Sequence, residues 1–152
     1  WLIAMKYSNW KITKKMTENY FETKIRVRYG ETDQMGFVYY GNYALYLEEA
    51  RTEMLRSVGF TYKEMEEMNV FLPVVNMNTR YRNAAKYDDL LTIKTIIKGS
   101  PTRKIIFETK IYNAQNLLLN ESEVILVFMD KDNQIISCPE NILSALSKYV
   151  TA

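Results

Sequence analysis

With 152 residues, no histidine and one cysteine, the chain suits one domain with a continuous core. Ser-His-Asp, Cys-His and His-ligated metal chemistry are excluded, as is an internal disulfide framework, so catalysis must rest on carboxylates, hydroxyls, lysines or backbone dipoles. The formal charge of +2 includes Lys6, Lys11, Lys14 and Lys15; without these four of its 20 basic residues, set against 18 acids, the balance is −2 and no nucleic-acid footprint is supported.

Residues 1–17 show neither strand nor helix period and contain Met5 and Met16 as alternative starts. They read as a flexible tail or an added extension, leaving 18–152 as the single domain. Trp1–Met5 is too short for a signal core and no apolar run could cross a bilayer, so a soluble, cytoplasmic protein is expected. From Phe21 to Tyr29, Phe21, Thr23, Ile25, Val27 and Tyr29 alternate with Glu22, Lys24, Arg26 and Arg28, which predicts a strand with one wet face. Thr32, Asp33 and Gly36 supply a turn, and Gly41 and Asn42 lead into a helical stripe of Tyr43, Leu47, Ala50, Met54 and Val58, widened by Ala44 and Leu55. That helix runs for about 17 residues, or about 25 Å. Gly59 and Phe60 form a stop signal, and the capping-box spacing of Thr61 and Glu64 predicts a short helix over 61–69.

Beyond Pro73 the chain becomes a run of strands. Val75 to Tyr81, Leu91 to Ile97, Ile105 to Ile111 and Glu121 to Met129 carry strand patterns, separated by Gly99-Ser100-Pro101 and the hairpin signal of Asn113 to Asn116. Asp130 to Asn133 turns the chain, a short strand is expected at Gln134 to Ser137, and Pro139 to Tyr149 is expected to form a final helix. Short turns imply antiparallel neighbours, and one long helix has the length to lie across such a sheet. This is an α+β arrangement. One helix covers one sheet face, so residues such as Ile106 and Tyr112 on the other face, and the sheet edges, are expected to be buried by self-association or by the terminal segments. Cys138 is expected to serve packing.

Chemistry concentrates between Thr32 and Arg51. Asp33 sits a few residues before a helix start, where unpaired N–H groups and partial positive charge stabilise an anion or an oxygen becoming one. Read alone, an isolated Asp-x-x-Gly favours Asp33 as a turn or capping residue over a catalytic one.

The run Asp33-Gln-Met-Gly36-Phe-Val-Tyr-Tyr40-Gly-Asn-Tyr43 followed by Glu48-Glu-Ala-Arg51 closely resembles the hotdog-fold acyl-CoA thioesterases of the 4-hydroxybenzoyl-CoA thioesterase and YbgC type. The likeness extends from about Glu22 to Phe128 and includes Arg51 to Arg56, Tyr81 to Ala85 with Asp88 and Asp89, and Asn116 to Glu121. The resemblance implies a curved antiparallel sheet wrapped around one central helix, paired into a homodimer or a dimer of dimers with active sites at the interface. It also implies an enzyme in which Asp33 is nucleophile or general base and the Tyr40 backbone N–H polarises the thioester carbonyl. YbgC-type members commonly carry histidine at the position of Tyr40, whereas the 4-hydroxybenzoyl type carries tyrosine; a main-chain donor survives the change, but acyl preference is left open. Tyr39 and Tyr40 either line an aromatic pocket or fill a dimer seam. Gly36, Val38, Tyr39, Asn42 and Tyr43 are expected to border the substrate, the last two in support. Glu48 is a second candidate carboxylate because other members of the fold use a helix glutamate, while Glu49 and Arg51 read as polar-face residues.

Coenzyme A would be substrate rather than cofactor, and no cofactor or metal is expected. Its phosphates call for bordering bases, for which Arg80, Arg82, Arg103 and Lys104 are the candidates. Acyl carrier protein is an alternative carrier. A non-catalytic acyl-binding or assembly module is the alternative of a different class, and dehydratase chemistry is disfavoured without histidine.

Overall fold

The computed structural model describes residues 19–152; the expected tail over 1–17 lies outside them. The first alternating stretch forms β1 (Phe21–Arg26), after which the chain leaves the ladder, although Val27 stays fully buried. A 3-10 turn at Tyr29–Glu31 replaces the expected end of the strand. The long helix α1 (Tyr43–Ser57) follows a 3-10 turn at Tyr40–Asn42, and its 15 residues span about 22 Å at about 1.5 Å each. It ends as expected. Gly59 takes φ +95°, its N–H donates to the Arg56 carbonyl, and the Phe60 N–H donates to the Leu55 carbonyl. In α2 (Tyr62–Glu67), Thr61 Oγ1 caps the Glu64 N–H and the Glu64 side chain returns to the Thr61 N–H.

Four strands then follow: β2 (Val74–Tyr81), β3 (Leu90–Lys98), β4 (Lys104–Tyr112) and β5 (Leu118–Val127). β5 begins three residues earlier than its apolar pattern suggests, because Asn113 Oδ1 accepts the Gln115 and Leu117 N–H groups and so shortens the hairpin turn. The expected strand at 134–137 does not form. Only Ile135 makes a bridge, to Met129, before the chain runs to α3 (Glu140–Leu146). The two-residue β6 (Val150–Thr151), which the sequence reading missed, adds parallel to β3.

The sheet order is β1-β3-β4-β5-β2, with every one of these pairs antiparallel. β2 is therefore an edge. Alternate strand residues, among them Ile93, Ile97, Ile105, Phe107, Ile111, Val124 and Leu126, pack against Leu47, Ala50, Met54 and Leu55 of α1 in one core. A row of hydroxyls crosses that core face. Register places Thr95, Thr109, Ser122 and Thr79 side by side on successive strands; Thr95 and Thr109 are 3.2 Å apart and Ser122 and Thr79 2.7 Å apart, with Asn120 bonded to both of the latter. On the opposite face Lys98 pairs with Glu108 and Glu123, while Ile106 and Tyr112 are half-buried.

Candidate active site

The segment after β1 folds into a tight hairpin. Thr32 bridges Val38, the Asp33 N–H donates to the Phe37 carbonyl at 2.7 Å, and the Gly36 N–H donates to the Asp33 carbonyl at 2.9 Å. Gly36 takes φ +80°, which favours glycine there. Asp33 Oδ1 accepts the Met35 N–H at 2.9 Å and the Phe37 N–H at 3.2 Å. This is an Asx turn, so the bland reading of Asp33 as a turn residue is correct for one of its oxygens. The other oxygen, Oδ2, has no hydrogen bond among the described residues.

The hairpin's return strand leads directly into the helix start. Val38 is 3% exposed and donates to the Ala85 carbonyl, and the Tyr39 N–H donates to the Glu31 carbonyl at 2.9 Å. The N–H groups of Tyr40 and Gly41 then open the 3-10 turn, and neither has an acceptor among the described residues, as the geometry of a helix start requires. Around them lies a tyrosine cluster. Tyr81, from the end of the edge strand, donates its hydroxyl to the Tyr40 carbonyl at 3.1 Å and sets its ring edge-on to Tyr40 and Tyr43. Tyr39 and Tyr40 are exposed, whereas Tyr43 is 1% exposed and its hydroxyl is pushed up to about 12 by burial. Tyr43 and Val38 are thus buried in the core beneath the exposed Tyr39 and Tyr40. Asn42 is committed too, its Nδ2 donating to the Glu31 carbonyl at 2.8 Å.

The sequence reading missed Glu31. It is 8% exposed, and its carboxylate accepts the Tyr46 hydroxyl at 2.6 Å together with the Arg28 N–H and Arg28 Nε, each at 2.8 Å. Burial disfavours its charge, but the Tyr46 and Arg28 bonds outweigh that, and the carboxyl is held below the usual glutamate value. Burial and the same carboxylate push the Tyr46 hydroxyl upward. Glu31 closes the 3-10 turn that follows β1, and its partner Tyr46 lies fifteen residues on, so no local pattern marks it.

Arg51 corrects another expectation. Rather than lying on a polar face it is 9% exposed, with Nε donating to the Tyr62 hydroxyl at 3.3 Å, which ties α2 to α1. Glu48, one turn earlier, is exposed. The four basic candidates do not converge within one chain. Arg82 pairs with Glu121 at 2.7 Å and Arg80 lies opposite Glu121 in the ladder, whereas Lys104 lies opposite Val127. Six residues of β5 separate those positions, about 20 Å at about 3.4 Å each. Arg103 and Lys104 are exposed.

A family model described as the thioesterase-like superfamily matches residues 27–146, which span the hairpin, α1 and strands β2 to β5. The chain belongs to that superfamily. Among its curated members, the acyl-CoA thioester hydrolase YbgC of Escherichia coli O6:H1 is 38% identical over 115 residues, covering 76% of this chain and 86% of that protein. The acyl-CoA thioesterase YbgC of Haemophilus influenzae is 34% identical over 116 residues, covering 76% and 85%. Of solved superfamily structures, DHNA-CoA thioesterase from Staphylococcus aureus aligns with TM-score 0.75 at 28% identity, covering 85% of this chain and 89% of that one. A mutant 4-hydroxybenzoyl-CoA thioesterase complexed with 4-hydroxybenzoyl-CoA shares the fold with TM-score 0.77 at 22% identity, covering 84% and 99%. The hotdog expectation is correct: a long helix lies against an open, mainly antiparallel sheet.

Proposed function

We propose that this protein hydrolyses acyl-CoA thioesters to a free acid and coenzyme A, at a site that residues 19–152 form with a second copy of the chain. The observation that carries the mechanism is the hairpin. It fixes the direction of the Asp33 carboxylate through one oxygen, leaves the other uncommitted, and runs straight into unpaired N–H groups at the helix start. Asp33 takes a proton from water as the water oxygen bonds to the thioester carbon. The carbonyl electron pair moves onto oxygen, which the Tyr40 N–H stabilises, with Gly41 next to it. Collapse breaks the C–S bond, and coenzyme A leaves as a thiolate that takes up the proton. Oxyanion donors contribute about 10²–10³ in rate and a placed base about 10²–10⁴, which suits a leaving group that needs little acid assistance. As nucleophile, Asp33 would instead bond to the carbonyl carbon and expel the thiolate first, and water would then cleave the anhydride.

The second copy enters through β2. This edge strand exposes Val74, Val75 and Met77, and its last residue, Tyr81, touches the helix start. Antiparallel two-fold pairing of β2 with its copy would bring the Arg80 end of one protomer beside the Arg103 and Lys104 end of the other, gathering the phosphate-binding candidates. No helix of the described residues is long and apolar enough to cross a membrane.

The test follows thiol release from a panel of acyl-CoAs and acyl carrier protein thioesters. Turnover of at least one acyl-CoA is expected. Release from carrier-protein thioesters alone would replace coenzyme A as the carrier, and no release from either would leave an acyl-binding module. Single turnover in ¹⁸O-water tests the nucleophilic role: unlabelled acid on the first cycle shows that an Asp33 oxygen was transferred through an anhydride opened by water at the Asp33 carbonyl, whereas a base puts ¹⁸O into the acid on that cycle.

A further inference from the structure

We propose that Glu31 is the positioning residue of this site, holding the Asp33 hairpin and the helix-start N–H groups in one fixed relation. This inference rests on the thioesterase reading and deepens it.

The argument is one of connectivity. Glu31 lies two residues before Asp33, and its carbonyl is the acceptor for two groups that flank Tyr40 and Gly41, the Tyr39 N–H at 2.9 Å and Asn42 Nδ2 at 2.8 Å. Its carboxylate meanwhile reaches past the helix start to the Tyr46 hydroxyl at 2.6 Å and back to Arg28, whose N–H and Nε both lie at 2.8 Å. Five hydrogen bonds thus converge on one residue. The other ties of the hairpin, among them the Thr32–Val38 and Phe37–Lys86 bridges and the Val38 bond to Ala85, hold its return strand but stop before Tyr39, and the Tyr81 hydroxyl at 3.1 Å ties the Tyr40 carbonyl to β2 rather than to the hairpin. The placement of the base relative to the oxyanion donors therefore runs through Glu31, and a misplacement of about 1 Å at such a site costs on the order of 100-fold in rate.

The side chain must be a carboxylate. All three groups facing it are donors, and an amide would turn its own NH2 toward at least one of them. Burial of a charged group here is sustained by charge-assisted bonds, consistent with its depressed pKa. The residue touches neither water nor thioester in the proposed reaction. Its effect passes through Asp33, Tyr40 and Gly41.

The test compares Glu31→Gln and Tyr46→Phe with the wild type, and with Ile97→Val, a fully buried core substitution across the sheet, as a control for general loosening. Glu31→Gln is expected to lower kcat about 10- to 100-fold with KM within about twofold, because ground-state binding is retained while transition-state alignment is lost. Tyr46→Phe is expected to lose less in the same direction, and the two together less than the product of the single losses. Ile97→Val should keep the wild-type kcat. Amide hydrogen exchange supplies a readout independent of turnover: the Tyr39 and Asn42 amides should exchange at least about tenfold faster in Glu31→Gln, with β3, β4 and β5 unchanged. An unchanged kcat, or a loss matched by Ile97→Val, overturns the proposal. If the wild type cleaves no thioester, the thioesterase reading fails by itself and exchange decides the positioning role: local acceleration upholds it and unchanged protection overturns it.

Discussion

Substitution at Asp33 separates its two jobs, because the hairpin uses one carboxylate oxygen and the proposed chemistry the other. Asp33→Asn retains an Oδ1 able to accept the Met35 and Phe37 N–H groups, now at 2.9 and 3.2 Å, and loses only their charge assistance. Neutral hydrogen bonds contribute about 1 kcal/mol net and charge-assisted ones roughly twice that; with Met35 exposed to solvent, the change costs about 1 kcal/mol, or about 2–4 °C in Tm. Asp33→Ala removes both bonds, costing about 2 kcal/mol and roughly double the Tm shift. Activity is expected to order differently. Both variants remove the proton acceptor, so both should lose about 10²–10⁴ in kcat, equivalent to about 2.7–5.4 kcal/mol of barrier. The assay is thiol release at saturating acyl-CoA beside thermal unfolding of the same preparations. Asp33→Asn with turnover within about threefold of wild type refutes the role of the carboxylate, as does a loss in both variants that merely tracks Tm.

Three further outcomes are expected. Met77→Lys, which puts a charge on the open edge of β2, should convert a dimer into an 18.0 kDa species and abolish turnover; light scattering on the wild type that already reads 18.0 kDa refutes the interfacial site. Because the Glu31 carboxyl is held below its ordinary value, it contributes stability that is present above the ordinary glutamate pKa of 4.5 and is lost as pH falls through its lower folded value. Glu31→Gln should therefore flatten the acid limb of the stability–pH curve, and an unaltered limb contradicts this. Burial, with a smaller contribution from Glu140, pushes the half-buried Cys138 thiol up to about 11. Iodoacetamide at pH 8 should then label it roughly 100-fold more slowly than an unfolded thiol, as read by mass spectrometry, and equal rates would show an open thiolate.

Most of the scaffold is legible in local pattern. Strict alternation marks β1, the Tyr43-Leu47-Ala50-Met54 stripe marks α1, and Gly59 and Thr61 punctuate the chain where a positive φ and a capping box are found. What escaped depends on partners distant in sequence. Glu31 meets Tyr46 fifteen residues on, and Arg51 meets Tyr62 eleven residues on, so neither burial can be read from the neighbours of either residue. The stretch 134–137 carries a strand-like pattern but finds only one bridge, at Ile135, whereas Val150–Thr151 is too short to show a period and exists because β3 extends beyond β1. Of the site, the hairpin and helix start were readable from Asp33 through Tyr43; the two-ended distribution of Arg80, Arg82, Arg103 and Lys104 appears only once the ladder is known.

The band of side-chain oxygens running from Thr95 to Thr79 also disciplines strand alignment. Alternation of apolar residues forbids a slip by one residue, because inside and outside would exchange, but tolerates a slip by two. In this sheet a two-residue slip between β3 and β4 sets Thr95 against Phe107 or Ile111, and one between β4 and β5 sets Ser122 against Phe107 or Ile111. Each such mismatch strands a polar atom in the interior at a cost of about 1–3 kcal/mol. Misaligned ladders are thereby penalised as α1 docks and closes the core over that face.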